Sequence, residues 1–108
     1  MRAAVILTAL WPGVAGAWDR LDDDGIVEAL SDRQVRFDAW TVQDFRADGA
    51  TVYRTERYAE GRWRAQDSRY CDRWPPAEVW TCYDLHREDD RLRFTNDAGV
   101  ASVGTLVE

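Results

Sequence analysis

The stretch from Gly61 to Asp84, GRWRAQDSRYCDRWPPAEVWTCYD, carries both cysteines of the chain, three of its six tryptophans and two of its three prolines. If Cys71 and Cys82 face each other on antiparallel strands, the register of a whole hairpin follows. Side chains alternate between the two faces of a strand, so a slip of one residue would exchange the faces. On the cysteine face, Arg69 then meets Asp84, Arg73 meets Trp80 and Asp67 meets His86. On the opposite face Tyr70 meets Tyr83 and Trp74 meets Val79, with Leu85 extending the row. The first face is charged and holds an Arg–Trp pair of the cation–π kind. The second is aromatic and aliphatic and belongs against a core. Pro75-Pro76-Ala77-Glu78 is left as the loop, where no ladder N–H is required.

The N-terminus bears on whether that cysteine pair is oxidised. Arg2 precedes an apolar run, Ala3 to Leu10, which Pro12-Gly13 breaks. Ala15-Gly16-Ala17 then supplies a small-residue cleavage site before Trp18. This is the pattern of a signal peptide over residues 1–17, and the run is shorter than the ~20 residues a membrane span needs. The alternative is an N-terminal strand or anchor helix. No cysteine follows the run, so a lipid anchor is not indicated. The expected mature chain is one disulfide-stapled domain, residues 18–108, in the periplasm or secreted. In an oxidising compartment a Cys71–Cys82 bond is the favoured state over two reduced, buried thiols. In the chain-entropy picture it contributes on the order of 2–3 kcal/mol, a large share of a small domain's stability.

Charge narrows the partners. The whole chain has 14 basic and 20 acidic residues, a net charge of −6. Every basic residue is arginine, and Arg2 leaves with the leader. The arginines are scattered among acids and form no basic stripe, which argues against nucleic acid. The acidity argues against an anionic membrane surface, and no direct membrane insertion is expected after cleavage.

Beyond the leader, Asp22-Asp23-Asp24-Gly25 before Ile26-Val27-Glu28-Ala29-Leu30 marks a helix start, with carboxylates capping free N–H groups. Its apolar stripe is expected from Leu21, Ile26, Val27 and Leu30. A calcium loop of EF-hand type would need an acid at Arg20 and a glutamate at Ser31, and has neither. From Gln34 onward, apolar and polar residues alternate between turn signals 8 to 12 residues apart, the signature of an all-β unit. Trp40, Val42 and Asp44 alternate with Thr41, Gln43 and Phe45. Asp48-Gly49, Glu60-Gly61, Asp67-Ser68, Asp89-Asp90 and Asn96-Asp97-Ala98-Gly99 supply turns, and Leu85 should face Phe94. Short connections put sequence neighbours side by side. The expected fold is mainly β: an antiparallel up-and-down meander or barrel of about eight strands with one short N-terminal helix. Closure would remove exposed edges.

The chemistry-bearing residues are few. His86 is the only histidine, and a serine or cysteine nucleophile needs such a base beside it. Asp67 could orient it, but Ser68, the nearest serine, has the opposite face parity, and no nucleophile motif surrounds any serine. No carboxylate is set in an apolar stretch, and no phosphate loop, dinucleotide fingerprint or zinc-ligand set is present. No enzyme, metal or cofactor is expected. Trp63, Tyr70, Trp74, Tyr83 and Phe94 are the candidate interior aromatics. Arg73, Trp80, Arg69 and Asp84 form the candidate binding surface, since exposed Trp and Arg together are enriched at interaction hot spots. A purely local Arg73–Trp80 stack is the competing reading.

The order of signal peptide, short helix, Phe45-Arg46-Ala47-Asp48-Gly49, Gly61-Arg62-Trp63, Tyr70-Cys71, Cys82-Tyr83 and Arg91-Leu92-Arg93-Phe94 resembles a loose group of small exported proteins of alphaproteobacteria that have no assigned function. The resemblance implies a periplasmic antiparallel β domain with a disulfide and carries over no catalytic residue. Lipocalin-like barrels and exported enzyme inhibitors share the size and style of fold by analogy alone. The functional expectation is a non-catalytic protein-binding module of the cell envelope, either an accessory subunit or an inhibitor of an exported enzyme. The alternative is a small-ligand binder using a lipocalin-like interior.

Overall fold

A computed structural model describes residues 17–108. The expected leader, residues 1–17, lies outside them except for Ala17. The chain order is β1 (Asp19–Arg20), α1 (Asp23–Leu30), β2 (Arg33–Asp38), β3 (Thr41–Phe45), β4 (Ala50–Arg54), β5 (Tyr58–Gln66), β6 (Arg69–Arg73), β7 (Thr81–Glu88), β8 (Arg91–Thr95) and β9 (Ala101–Val107). From β2 to β9 each strand pairs antiparallel with the next, and β2 pairs with β9 to close the ring. The result is an eight-stranded up-and-down barrel, with β1 as an added strand on β7.

The hairpin expected around the cysteines is present. Tyr70 faces Tyr83, Cys71 faces Cys82 and Asp72 faces Thr81, and the cysteines are joined in a disulfide. Leu85 faces Phe94. Arg69–Asp84 and Arg73–Trp80 lie beyond these ladder pairs, though their side chains meet, and two further extensions of that register fail. Asp67 does not face His86, because Asp67 and Ser68 take positive φ of 55° and 59° and form the β5–β6 turn. The edge of β7 vacated there is taken by β1, so His86 faces Arg20 on one side and Arg93 on the other. Trp74 does not face Val79, because β6 ends at Arg73 and β7 starts at Thr81. The loop therefore runs from Trp74 to Trp80, longer than the four residues expected, and contains a cis Pro75–Pro76 bond.

Helix α1 begins as the aspartate run predicts: Asp22 caps it, its Oδ1 accepting from Gly25 N at 2.9 Å. The buried stripe is Ile26, Ala29 and Leu30. Val27 lies outside the stripe and is 47% exposed, because 100° per residue turns it away from Ile26 and Leu30. Ile26 and Leu30 join Val35, Phe45, Trp63, Leu85, Leu92 and Leu106 in one core, so the helix seals one end of the barrel. Asp23 Oδ1 accepts from Ser68 N at 2.9 Å, and Leu21 N donates to Leu85 O at 2.9 Å, tying the helix to the β5–β6 turn and to β7. Gly104 is needed on β9 because a Cβ there would collide with Val35 and press on Phe37, which cross it inside the barrel.

Candidate functional site

The end opposite the helix is hollow. A cavity of about 620 Å³ occupies the upper half of the barrel and opens between four connections: β2–β3, β4–β5, β6–β7 and β8–β9. Its wall is aromatic, from Phe37, Tyr53, Tyr70, Trp74, Tyr83 and Phe94, with small side chains at Ala59 and Ser102. The rings are mutually braced. Tyr70 packs edge-on to Phe94 at 5.2 Å between centroids, and Tyr53 packs edge-on to Trp74 at 6.1 Å. Aromatic surface offers large contact area with few torsions to freeze.

A polar seam runs through this wall. Gln43 Nε2 donates to Thr51 Oγ1 at 3.0 Å and to the Tyr70 hydroxyl at 3.3 Å. The Tyr70 hydroxyl donates onward to Asp72 Oδ2 at 2.9 Å, and Thr51 Oγ1 donates to the Asp44 carbonyl. Burial raises the Tyr70 hydroxyl pKa well above its ordinary range, with the neighbouring Asp72 carboxylate adding to the effect, so Tyr70 keeps its proton. Burial also raises the Asp72 carboxyl, against the lowering effect of hydrogen bonds from Tyr70 and Trp74. Asp38 sits at the rim and is held below the usual carboxyl range, first by the Trp40 backbone N–H, which donates to Asp38 Oδ1 at 2.8 Å.

Of the interior aromatics named from sequence, Tyr70, Trp74, Tyr83 and Phe94 line the cavity. Trp63 lies deeper in the core and donates from Nε1 to Arg46 O at 2.9 Å. The candidate surface residues lie on the outer wall, in contact with one another and with neighbouring strands. Trp80 is half-buried under Arg64, whose guanidinium carbon is 3.9 Å from the ring centroid, with Arg73 at 5.2 Å. Arg69 Nε bonds Asp84 Oδ1 at 3.0 Å, and its other nitrogen reaches Asp97 Oδ1 at 2.7 Å and the Cys82 carbonyl. Asp84 also pairs with Arg20 at 3.0 Å. These four residues make contacts with one another and with their neighbours. Beside them a shallower groove of about 410 Å³ is bordered by Arg62, Arg64 and Arg73.

His86 lies on the outer face. Burial lowers its pKa first, and the adjacent Arg93 and Arg20 lower it further. It has no serine or cysteine beside it in the strand register, where its neighbours are Arg20 and Arg93.

Sequence reasoning missed Asp72, Gln43, Phe37, Tyr53 and Asp38 as site residues. For Asp72 the signal was available: it shares the face parity of Tyr70 and pairs with Thr81 in the same register. Trp40 was read as a strand residue. It stands in the β2–β3 turn instead and is 82% exposed, and the Asp38 side chain capping its N–H is a sequence-readable turn signal. Among the described residues no helix is long and apolar enough to cross a membrane. No protein-family model matches the chain, and neither a curated protein nor a solved structure matches it.

Proposed function

We propose that the protein binds a small, largely apolar molecule in the open half of its barrel and does so without transforming it. The observation that carries this reading is the cavity of about 620 Å³ with its aromatic wall and single polar seam. Ligand sites are typically concavities of about 300–1,000 Å³, mostly apolar, with a few placed polar groups. Eight-stranded barrels either fill their interior with side chains or hold one small ligand. This one does the first at its helix end and the second at its mouth. The disulfide and the leader pattern support action outside the reducing cytoplasm, in the periplasm or beyond.

The test is fluorescence of a neutral apolar reporter, N-phenylnaphthylamine, titrated with the purified protein. Enhancement that saturates, and that is lost in Ser102→Phe with the fold intact by circular dichroism, is expected. No enhancement, or equal enhancement in the filled variant, would sink the reading.

A second reading, binding of an envelope protein, is favoured by the rim. The open end exposes large apolar residues: Trp40, Val79 and Val100 in three of its connections and Tyr58 at the start of β5. A ring of this kind suits a partner protein seated on the mouth. Photo-crosslinking from position 40 in intact cells checks it. One discrete crosslinked species is expected, and a reaction indistinguishable from one placed at Val27 on the helix end counts against it.

A further inference from the structure

We infer that the cavity takes a cationic amine carried on a flat apolar group, with the Asp72 carboxylate as its counter-charge. This rests on the small-ligand reading above and specifies its chemistry.

The first argument is the distribution of charge. Among the described residues the charged groups lining the cavity are Asp38 and Asp72, both acids, with no arginine or histidine. Among the described residues neither carboxylate is in an ion pair, whereas the outward-facing Asp44 and Asp84 each hold an arginine. Arginines are plentiful on the outer wall, three of them around the second groove. The inner wall receives none. A carboxylate that is 7% exposed is costly to leave without a counter-charge, so its presence in a hollow calls for a cation that the described residues do not supply.

The second argument is what surrounds Asp72. Its hydrogen-bond donor is neutral, the Tyr70 hydroxyl at 2.9 Å. It orients the carboxylate without neutralising it, leaving charge-assisted bonding to a ligand ammonium. The titratable groups that share the cavity with it are Asp38, Tyr53, Tyr70 and Tyr83, and none is a cation. The third argument is the wall itself. Ring faces carry negative quadrupole potential and attract ammonium groups, most strongly when water is excluded. Carboxylate, phenol and ring face therefore select in one direction: for a cation, against an anion, with a neutral isostere in between.

The experiment is isothermal titration calorimetry of the purified protein at neutral pH with three probes sharing one ring system and differing in charge: tryptamine, tryptophol and indolepropionate. Tryptamine is expected to bind about tenfold or more tighter than tryptophol, the scale of one hydrogen bond to a charged group, and indolepropionate weakest. Asp72→Asn is expected to bring tryptamine down to the tryptophol level. A second measurement needs no variant: acidifying the wild type below the ordinary carboxyl range should erase the preference for tryptamine. Tryptophol binding as tightly as tryptamine overturns the inference while the small-ligand reading stands. So does binding of the neutral reporter with none of the three indoles. Failure of the reporter and of all three indoles removes both.

Discussion

The two ends of this barrel are built from the same eight strands and differ in almost every physical respect. At the helix end, Ile26 and Leu30 reach into a core that also holds Val35, Phe45, Leu85, Leu92 and Leu106. The connections there are short and acidic. Asp67 and Ser68, both at positive φ, make a two-residue turn of the kind that matches strand twist. The mouth exposes Trp40, Val79 and Val100 in its connections and Tyr58 at the start of β5, and the interior side chains stop short of filling the space they enclose. One end is spent on stability, while the other leaves apolar surface open and, among the described residues, a buried carboxylate without an ion pair. That division would suit the proposed ligand site on a scaffold too small to be stabilised everywhere.

The comparison breaks first at the plug. Ile26→Ala should cost about 2–5 kcal/mol of unfolding free energy in urea titration, the range for truncating a fully buried aliphatic residue. A loss below 1 kcal/mol, taken as the order of an exposed-site change, would mean the helix end is no better packed than the mouth. Next is the staple. Cys71→Ser combined with Cys82→Ser should lower stability by on the order of 2–3 kcal/mol. Reporter binding by the fraction that remains folded should be unchanged, because both cysteines have the outward face parity, opposite to Tyr70 and Asp72.

Asp72 sharpens the contrast through pH. Its carboxyl is raised in the folded chain above the ordinary 3.8. The stability linked to it is therefore full below the unfolded value and is lost as pH rises through the folded one. Asp72→Asn, which keeps an acceptor for the Tyr70 hydroxyl, should make the protein more stable at neutral pH. The gain should vanish below pH 3.8. Denaturant midpoints at the two pH values check this, and a destabilised variant at neutral pH would show that the carboxylate is an ordinary structural residue. The smallest effect belongs to the rim. Trp40→Ala, at 82% exposure, should stay within about 0.5 kcal/mol of wild type, while any partner docked on the mouth should be lost.

How far the sequence could be read depended on whether the deciding interaction was local. The helix start was legible because an aspartate cap acts on N–H groups three residues away. The pairings Tyr70–Tyr83 and Leu85–Phe94 were legible because period-two alternation carries a register along a strand. The same rule failed at Asp67 and Trp74, where the backbone leaves the strand and alternation no longer applies. Val27 was assigned to the wrong side of the helix because an apolar side chain does not reveal by itself which face is covered. The Arg64–Trp80 stack was not legible because Arg64 lies on the neighbouring strand rather than in the hairpin.

The sequence by itself determined the mainly β architecture, the antiparallel neighbours, the cysteine hairpin and the sorting of its two faces. Each of these follows from turn chemistry and side-chain alternation within a few residues. Tertiary structure alone decided that β2 meets β9, that β1 takes the edge β6 vacates, and that the barrel is filled at one end and hollow at the other. Those outcomes depend on side-chain volumes summed around eight strands, and no short window of sequence contains that sum. The same holds for Asp72. Its residue type and parity are local facts, but its burial without a cationic partner arises only when the ring closes around it.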